Sequence, residues 1–283
     1  MKFCIVIPAH NEEKHLAQTL ESLVAQTLQP AEIHVVNDHS SDGTQTIIEA
    51  FSEKHAFITY SIKKSKSTHA PGSKVIEAFN LGLRHLNNDY DILCKFDADL
   101  IFPKNYLERI STIFENNPKC GMAGGFCYIE KNGTWQLEGL TNKDHLRGAL
   151  KAYRKPCFQQ IGGLRPAMGW DTADELLAKY NGWQVCTDTS LHVKHLKPTG
   201  NTYTKAARHK QGEAFYTLRY GFLLTVLASA KLAVKKQSIR FFFHCLTGYL
   251  RAKRNKKSFL LNEAEGAFAR KLRWRGIRAK ILG

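Results

Sequence analysis

The chain predicts an α/β fold, followed by a basic α-helical carboxyl-terminal extension. Three observations carry that expectation. Two short β-branched runs each break into a polar turn and then into helical periodicity, a third apolar run ends in two aspartates one residue apart, and lysine and arginine crowd into the last fifth of the sequence. At 283 residues and 43% hydrophobic composition the chain can bury one large core.

The first strand is Phe3-Cys4-Ile5-Val6-Ile7, which stops at Pro8-Ala9-His10-Asn11-Glu12-Glu13. Leu16, Leu20, Leu23 and Val24 then recur at helical spacing, so one face of the next helix covers the sheet. The pattern repeats from Ile33 to Val36, with Asn37-Asp38-His39-Ser40-Ser41-Asp42-Gly43-Thr44 as the turn. Ser41, Asp42 and Gly43 suit turn and capping roles, while Asp38 lies nearer the strand tip and is the better candidate ligand. The third strand leads into Asp97-Ala98-Asp99, with a helix expected to begin near Pro103. In an open α/β sheet ligands lie beyond the carboxyl ends of the strands, where Asn37, Asp38 and Asp97 all fall. Paired carboxylates there suit a magnesium-like ion, which takes one or two protein oxygens and leaves its other positions to water and phosphates. The stretch Lys63 to Lys74 is basic and runs into a helix, where Lys74 stands close enough to the amino end to reach phosphate. No dinucleotide fingerprint and no Gly-Lys-Ser/Thr phosphate loop occurs, so dehydrogenase and nucleotide-hydrolase readings lose their main support.

These segments resemble the family 2 glycosyltransferases, inverting enzymes with the GT-A fold, and the resemblance implies a mixed sheet flanked by helices. The resemblance rests on Val6 to Glu13, Val35 to Thr44, Gly72, Ala78, Asn80 and Gly82, Asp97-Ala98-Asp99, and Gly162-Gly163-Leu164 with the acidic helix start near Asp171. It covers about residues 1–200. It implies that Asp38 reads the nucleobase, that Pro8, Ala9 and Glu12 line the nucleoside, that Asp97 faces ribose or phosphate, and that Asp99 holds Mg²⁺ or Mn²⁺. The chain departs from the family pattern at Asn37, where many relatives carry aspartate, and at His39, where they carry glycine.

On the acceptor side the resemblance implies a catalytic base at the helix opening after Gly162-Gly163. Counting back from Gly182-Trp183 puts Asp171 on that position, with Asp174 and Glu175 as rivals. A carboxylate there would take the proton of an acceptor hydroxyl as its oxygen attacks the anomeric carbon from the face opposite the leaving diphosphate. His195 lies where many relatives complete the metal or diphosphate site, and Lys197 and Thr199 resemble the loop around it. His192, Lys194 and Lys197 offer positive charge to a departing diphosphate.

Charge divides the chain unevenly. From Lys231 onward 15 lysines and arginines face only Glu263 and Glu265, so most of the formal net charge of +16 lies in the last 53 residues. Short apolar stretches interleave with it: Gly221 to Ala230, Phe241-Phe242-Phe243, and Leu246 to Leu250. None reaches the roughly 20 residues that a spanning helix needs. Such segments suit helices lying on an anionic membrane surface, or else a helical subdomain packed on the core with a solvated basic face, and no nucleic-acid recognition motif accompanies the charge. Seven scattered cysteines without a CxxC pair, and a first strand beginning at Phe3, lead to the expectation of a reducing cytoplasmic setting, and the basic tail to that of attachment at the inner face of a membrane.

The expectation is therefore a domain over 1–203 and a basic helical region over 204–283. Together they would move a sugar from a nucleotide-diphosphate donor to a saccharide or lipid-linked acceptor, in cell-surface polysaccharide, lipopolysaccharide or glycolipid synthesis. The alternatives are a nucleotidyltransferase of related fold and a non-catalytic protein that binds anionic polymers.

Overall fold

The computed structural model describes residues 1–63, 72–138, 145–197 and 209–282, with side chains as far as Ala279. The expected boundary at 203/204 and most of the basic stretch after Lys63 lie outside the described residues. Two compact units form: one from residues within 1–69, 74–164 and 181–198, the other from residues within 70–73, 165–180 and 199–283.

The first unit is built on one sheet whose first strand, β1 (Phe3–Ala9), is flanked in parallel by β2 (Glu32–Asn37) and β4 (Ile92–Phe96), with β3 (Ile58–Ile62) outside β2. Beyond β4 the sheet turns antiparallel through β8 (Leu150–Arg154), continues with β6 (Cys120–Lys131) and β9 (Gln184–His195), and ends at the two-residue β5 (Leu100–Ile101). A short β7 (Thr134–Leu137) pairs with β6. β1 and, apart from Lys95, β4 are apolar, and both are almost wholly buried because both sheet faces are covered. Helices α1 (Leu16–Val24), α2 (Thr44–Lys54), α3 (Ser73–Leu83), α4 (Tyr106–Asn116) and α5 (Lys155–Gln160) connect the strands. Leu16, Leu20 and Leu23 of α1 are fully buried on the face that their spacing predicted. α3 approaches the sheet at Gly82, where a Cβ would stand 2.6 Å from Val6 and 2.7 Å from Val36. The helix expected at Pro103 begins three residues later, at Tyr106, because β5 and a turn closed by Tyr106 N to Pro103 O come first.

Inside β2, His34 is buried with both ring nitrogens near hydroxyls, Thr59 Oγ1 at 2.8 Å and Ser61 Oγ at 3.0 Å, and it stacks on His85. Burial, helped by the charge of His85, lowers its pKa to about 4. A histidine held neutral when folded stabilises fully above its unfolded pKa of about 6.5, and that contribution is lost as pH falls toward 4. Between pH 7 and pH 5 the wild type should lose about 2 kcal/mol more than His34→Gln, which keeps polar partners for both hydroxyls without titrating. Urea unfolding at the two pH values reads the difference directly.

The second unit is helical: α6 (Trp170–Tyr180), α7 (Lys210–Thr217), α8 (Gly221–Lys235), α9 (Ile239–Arg254) and α10 (Glu263–Leu282). α7 and α9 touch backbone to backbone, with Gly212 facing the Cys245 carbonyl and Gly248 facing the His209 carbonyl, so neither position has room for a side chain. No helix among the described residues is long and apolar enough to cross a membrane.

Candidate functional site

The aspartate pair sits where β4 hands over to β5. Asp97 N donates to Ala149 O at 2.8 Å, and the turn is stapled by the buried Thr19 of α1, whose hydroxyl donates to Ala98 O and accepts from Leu100 N. Asp97 is ion-paired with the buried Lys95, which also donates to Gly148 O. Asp99 is only 8% exposed.

The register of the last two strands explains what stands opposite Asp99. Leu100 pairs with His195 and Ile101 with Lys194, so the end of β9 brings His195 Nε2 to 3.5 Å from Asp99 Oδ2. The other ring nitrogen, Nδ1, lies 3.0 Å from Glu138 Oε2, and Arg147 holds the same oxygen at 3.0 Å. Burial works to lower the His195 pKa, but the hydrogen bonds and charges of Asp99 and Glu138 outweigh it and raise it to about 9. Cys127 completes a buried group with Glu138 and His195, and burial pushes its thiol up to about 12. The alternation of a strand then separates the two histidines. Val193 and His195 face inward, whereas His192 lies exposed against Tyr128 and Lys194 lies over Trp135. His192 and Lys194 thus stand on the opposite strand face from His195.

Glu138 was not legible as a site residue from composition or motif, although a signal for it exists. Asn132-Gly133 is a two-residue hairpin turn with both residues at positive φ (52° and 74°), the pattern that matches strand twist. Its register pairs Lys131 with Thr134 and Tyr128 with Leu137, and the next step sets Glu138 N on Cys127 O at 2.9 Å.

At the other strand ends, Ala9 O accepts from Asp38 N at 2.7 Å, which ties β1 to the second turn beside Pro8. Asn37 is buried and its amide is engaged locally: Oδ1 accepts from Ser40 N and Nδ2 donates to Gln45 Oε1. His39 takes φ 58°, a left-handed conformation that glycine adopts without strain, so histidine here carries a modest local penalty. Asp38 is paired with Lys63 Nζ at 3.2 Å, and that ammonium also reaches Glu77 at 3.3 Å. Glu12 accepts from Lys197 Nζ at 2.5 Å through Oε1, while its buried Oε2 finds no hydrogen-bond partner among the described residues. Burial raises the Glu12 pKa against the pull of Lys197, and the charges of Asp99 and Asp97 raise it further. Lys74 lies in the first turn of α3, half-buried.

In the second unit, Gly169 at φ 88° leads into α6, with Asp171 half-exposed in the first turn. Asp174 is 2% exposed and accepts from the Glu175 backbone N at 2.7 Å, and Glu175 is buried too. Thr199 lies outside the described residues.

Two acids and a histidine in the first unit ask for a cation. Asp99 carboxylate and His195 imidazole supply a hard oxygen and a nitrogen within reach of each other, and Glu12 carries a buried oxygen without a hydrogen-bond partner among the described residues. That donor set fits a divalent ion of the magnesium or manganese kind, with Glu138 holding the imidazole by its far nitrogen as second partners of metal-bound histidines do.

Residues 4–166 match the profile of "Glycosyl transferase family 2". The chain is 36% identical over 217 residues to "Probable glycosyltransferase YdaM" of Bacillus subtilis (strain 168), covering 68% of this chain and 46% of that protein. It is 27% identical over 120 residues to poly-beta-1,6-N-acetyl-D-glucosamine synthase of Staphylococcus aureus (strain COL), covering 42% and 27% respectively. The chain thus spans less than half the length of these curated relatives. Among solved structures, the mannosyltransferase PcManGT from Pyrobaculum calidifontis in complex with GDP-Man and Mn²⁺ superposes with a TM-score of 0.57 at 16% identity, covering 88% of this chain and 68% of that one. S. aureus TarS 1-349 in complex with UDP-GlcNAc gives 0.58 at 18% identity, covering 82% and 67%. Both neighbours share the fold.

Proposed function

The chain belongs to glycosyl transferase family 2, and from that membership we propose that it moves a sugar from a nucleotide-diphosphate donor to an acceptor hydroxyl with inversion at the anomeric carbon. The observation that carries this reading is the approach of Asp99 and His195 where β4 ends, with Glu12 near enough for the charge of Asp99 to act on it. Asp99 and His195 would hold Mg²⁺ or Mn²⁺, which when bound neutralises the diphosphate of the leaving group. Use of a divalent metal is in keeping with the Mn²⁺ and GDP-Man of the mannosyltransferase neighbour.

The remaining work falls to this chain's own groups. Glu138, anchored by Arg147, fixes the imidazole so that Nε2 stays turned toward Asp99. Asp38, with Pro8 and Ala9 beside it, binds the nucleoside, and Lys63 keeps that carboxylate oriented. Asp97 faces ribose or phosphate, Lys74 reaches phosphate, and Lys197 brings positive charge beside Glu12. Asp171 is assigned as the base that accepts the acceptor's hydroxyl proton, with Asp174 as the alternative. The product belongs to cell-surface polysaccharide, lipopolysaccharide or glycolipid synthesis, a reading in keeping with the synthase relative. The enzyme would work as a peripheral protein at the inner face of a membrane.

Thermal stabilisation by UDP, GDP, CDP and dTDP, each with and without Mn²⁺, tests the donor site. A shift with one diphosphate that requires the metal is the expected result and names the donor class. Folded protein that responds to none of the four would overturn the reading.

A further inference from the structure

Helix α8 is turned inside out relative to an ordinary surface helix. Its buried residues are Leu224, Thr225, Ser229 and Ala233, half of them hydroxyl side chains, one of which donates back to Gly221 O within the helix. Its exposed stripe at helical spacing is Leu223, Leu227, Ala230, Lys231 and Val234, with Val234 79% and Leu223 61% open to solvent. A globular surface helix normally presents the reverse pattern.

Helix α9 continues the theme across the turn at Gln237. It buries Cys245, Gly248, Tyr249 and Ala252, yet Ile239, Phe243 and Leu250 stand outward at 68%, 59% and 52% exposure. The two helices pack together, and Val234, Ile239 and Phe242 line one apolar depression where they meet. Cations border this surface: Lys231, Lys235 and Lys236 on α8 and its end, Arg240 and Arg251 on α9. Monomeric soluble proteins rarely leave so many large apolar side chains together in water, and such a patch marks an interaction site.

We propose that the outward faces of α8 and α9 form a docking surface for an anionic lipid bilayer, with Leu223, Leu227, Val234, Ile239 and Phe243 entering the headgroup boundary and the flanking lysines and arginines pairing with lipid phosphates. This gives the peripheral attachment proposed above a specific face, and it stands on the second unit alone, whatever the chemistry of the first. Charge selects the lipid over a second copy of the chain. A two-fold dimer would lay the same patch on itself and bring two strongly basic rims together, whereas an anionic surface complements them. The length of α8, 15 residues, and the cations at its end suit a helix lying in the interface rather than crossing it.

The test is co-sedimentation of the full-length protein with vesicles of phosphatidylcholine alone and of phosphatidylcholine with 30% phosphatidylglycerol, for the wild type, Leu227→Glu, Phe243→Glu and the charge variant Arg240→Gln with Lys231→Gln. The substituted side chains are solvent-facing, so circular dichroism and melting should be unchanged, and donor binding serves as an independent check on the first unit. Binding to the anionic vesicles only, weakened about tenfold or more by either glutamate and more steeply salt-dependent in the wild type than in the charge variant, is expected. Equal binding by wild type and glutamate variants would reduce the surface to a solvated basic face and overturn the insertion. Absence of binding to anionic vesicles, or a wild-type dimer that the glutamates dissociate, would replace the lipid with another occupant.

Discussion

Asp99→Asn is expected to lower kcat/KM for transfer by about three orders of magnitude, equivalent to ~4 kcal/mol of transition-state stabilisation, with metal-dependent diphosphate binding lost as well. Asparagine keeps the size and one carbonyl oxygen of the side chain, so the fold around Thr19 and the β5 turn should survive and the loss reports charge alone. The effect is large because Asp99 is 8% exposed and stands beside His195, in surroundings where a charge is poorly screened. Glu138→Gln should fall between the variant and the wild type, weakening Mn²⁺ binding about 10- to 100-fold, the range typical of lost outer partners of a ligating histidine. Titration calorimetry with Mn²⁺ alone separates this from activity. An Asp99→Asn protein that binds Mn²⁺ and transfers sugar normally would remove Asp99 from the metal, and a Glu138→Gln protein with wild-type affinity would leave Glu138 a purely structural residue.

Asp171→Asn is expected to reduce kcat by about 10²- to 10⁴-fold while leaving KM for the donor nearly unchanged, the signature of a lost proton acceptor. Asp174→Asn should behave differently. Its carboxylate is 2% exposed and accepts from the Glu175 backbone within α6, so the change acts on packing and should lower the melting temperature more than the rate. The contrast comes from geometry: a base must reach the acceptor's hydroxyl, and Asp171 keeps access in the first turn of α6 that Asp174 lacks. Measuring kcat and melting temperature for both variants settles the assignment. A collapse of kcat in Asp174→Asn with an unchanged melting temperature would transfer the role to Asp174.

Much of the architecture was legible before any coordinates. β1, β2 and β4, the helices after the first two, and the gathering of Asp38, Asp97 and Asp99 at the strand ends all follow from apolar runs broken by turn residues, which are local signals. The acidic opening of α6 was legible for the same reason. The second half of the sheet was not: β6 and β9 are 12-residue strands that pair in parallel across about 60 positions of sequence, and neither alternates cleanly enough to announce itself. His34 shows the same limit, since nothing near it in sequence says that Thr59 and Ser61 will satisfy both nitrogens.

The family, the α/β core, the acids at the strand tips and the concentration of charge near the carboxyl end could be read from the chain alone, because each depends on residues close together along it. Folding in three dimensions sets β5 against the end of β9, which brings His195 to Asp99 and turns His192 away, and it stands Glu138 behind His195. It also decided that α8 buries hydroxyls and exposes leucines. These outcomes depend on strand register and on which helix face finds a partner, and both are set by contacts between segments far apart in the chain, where local propensity carries no information.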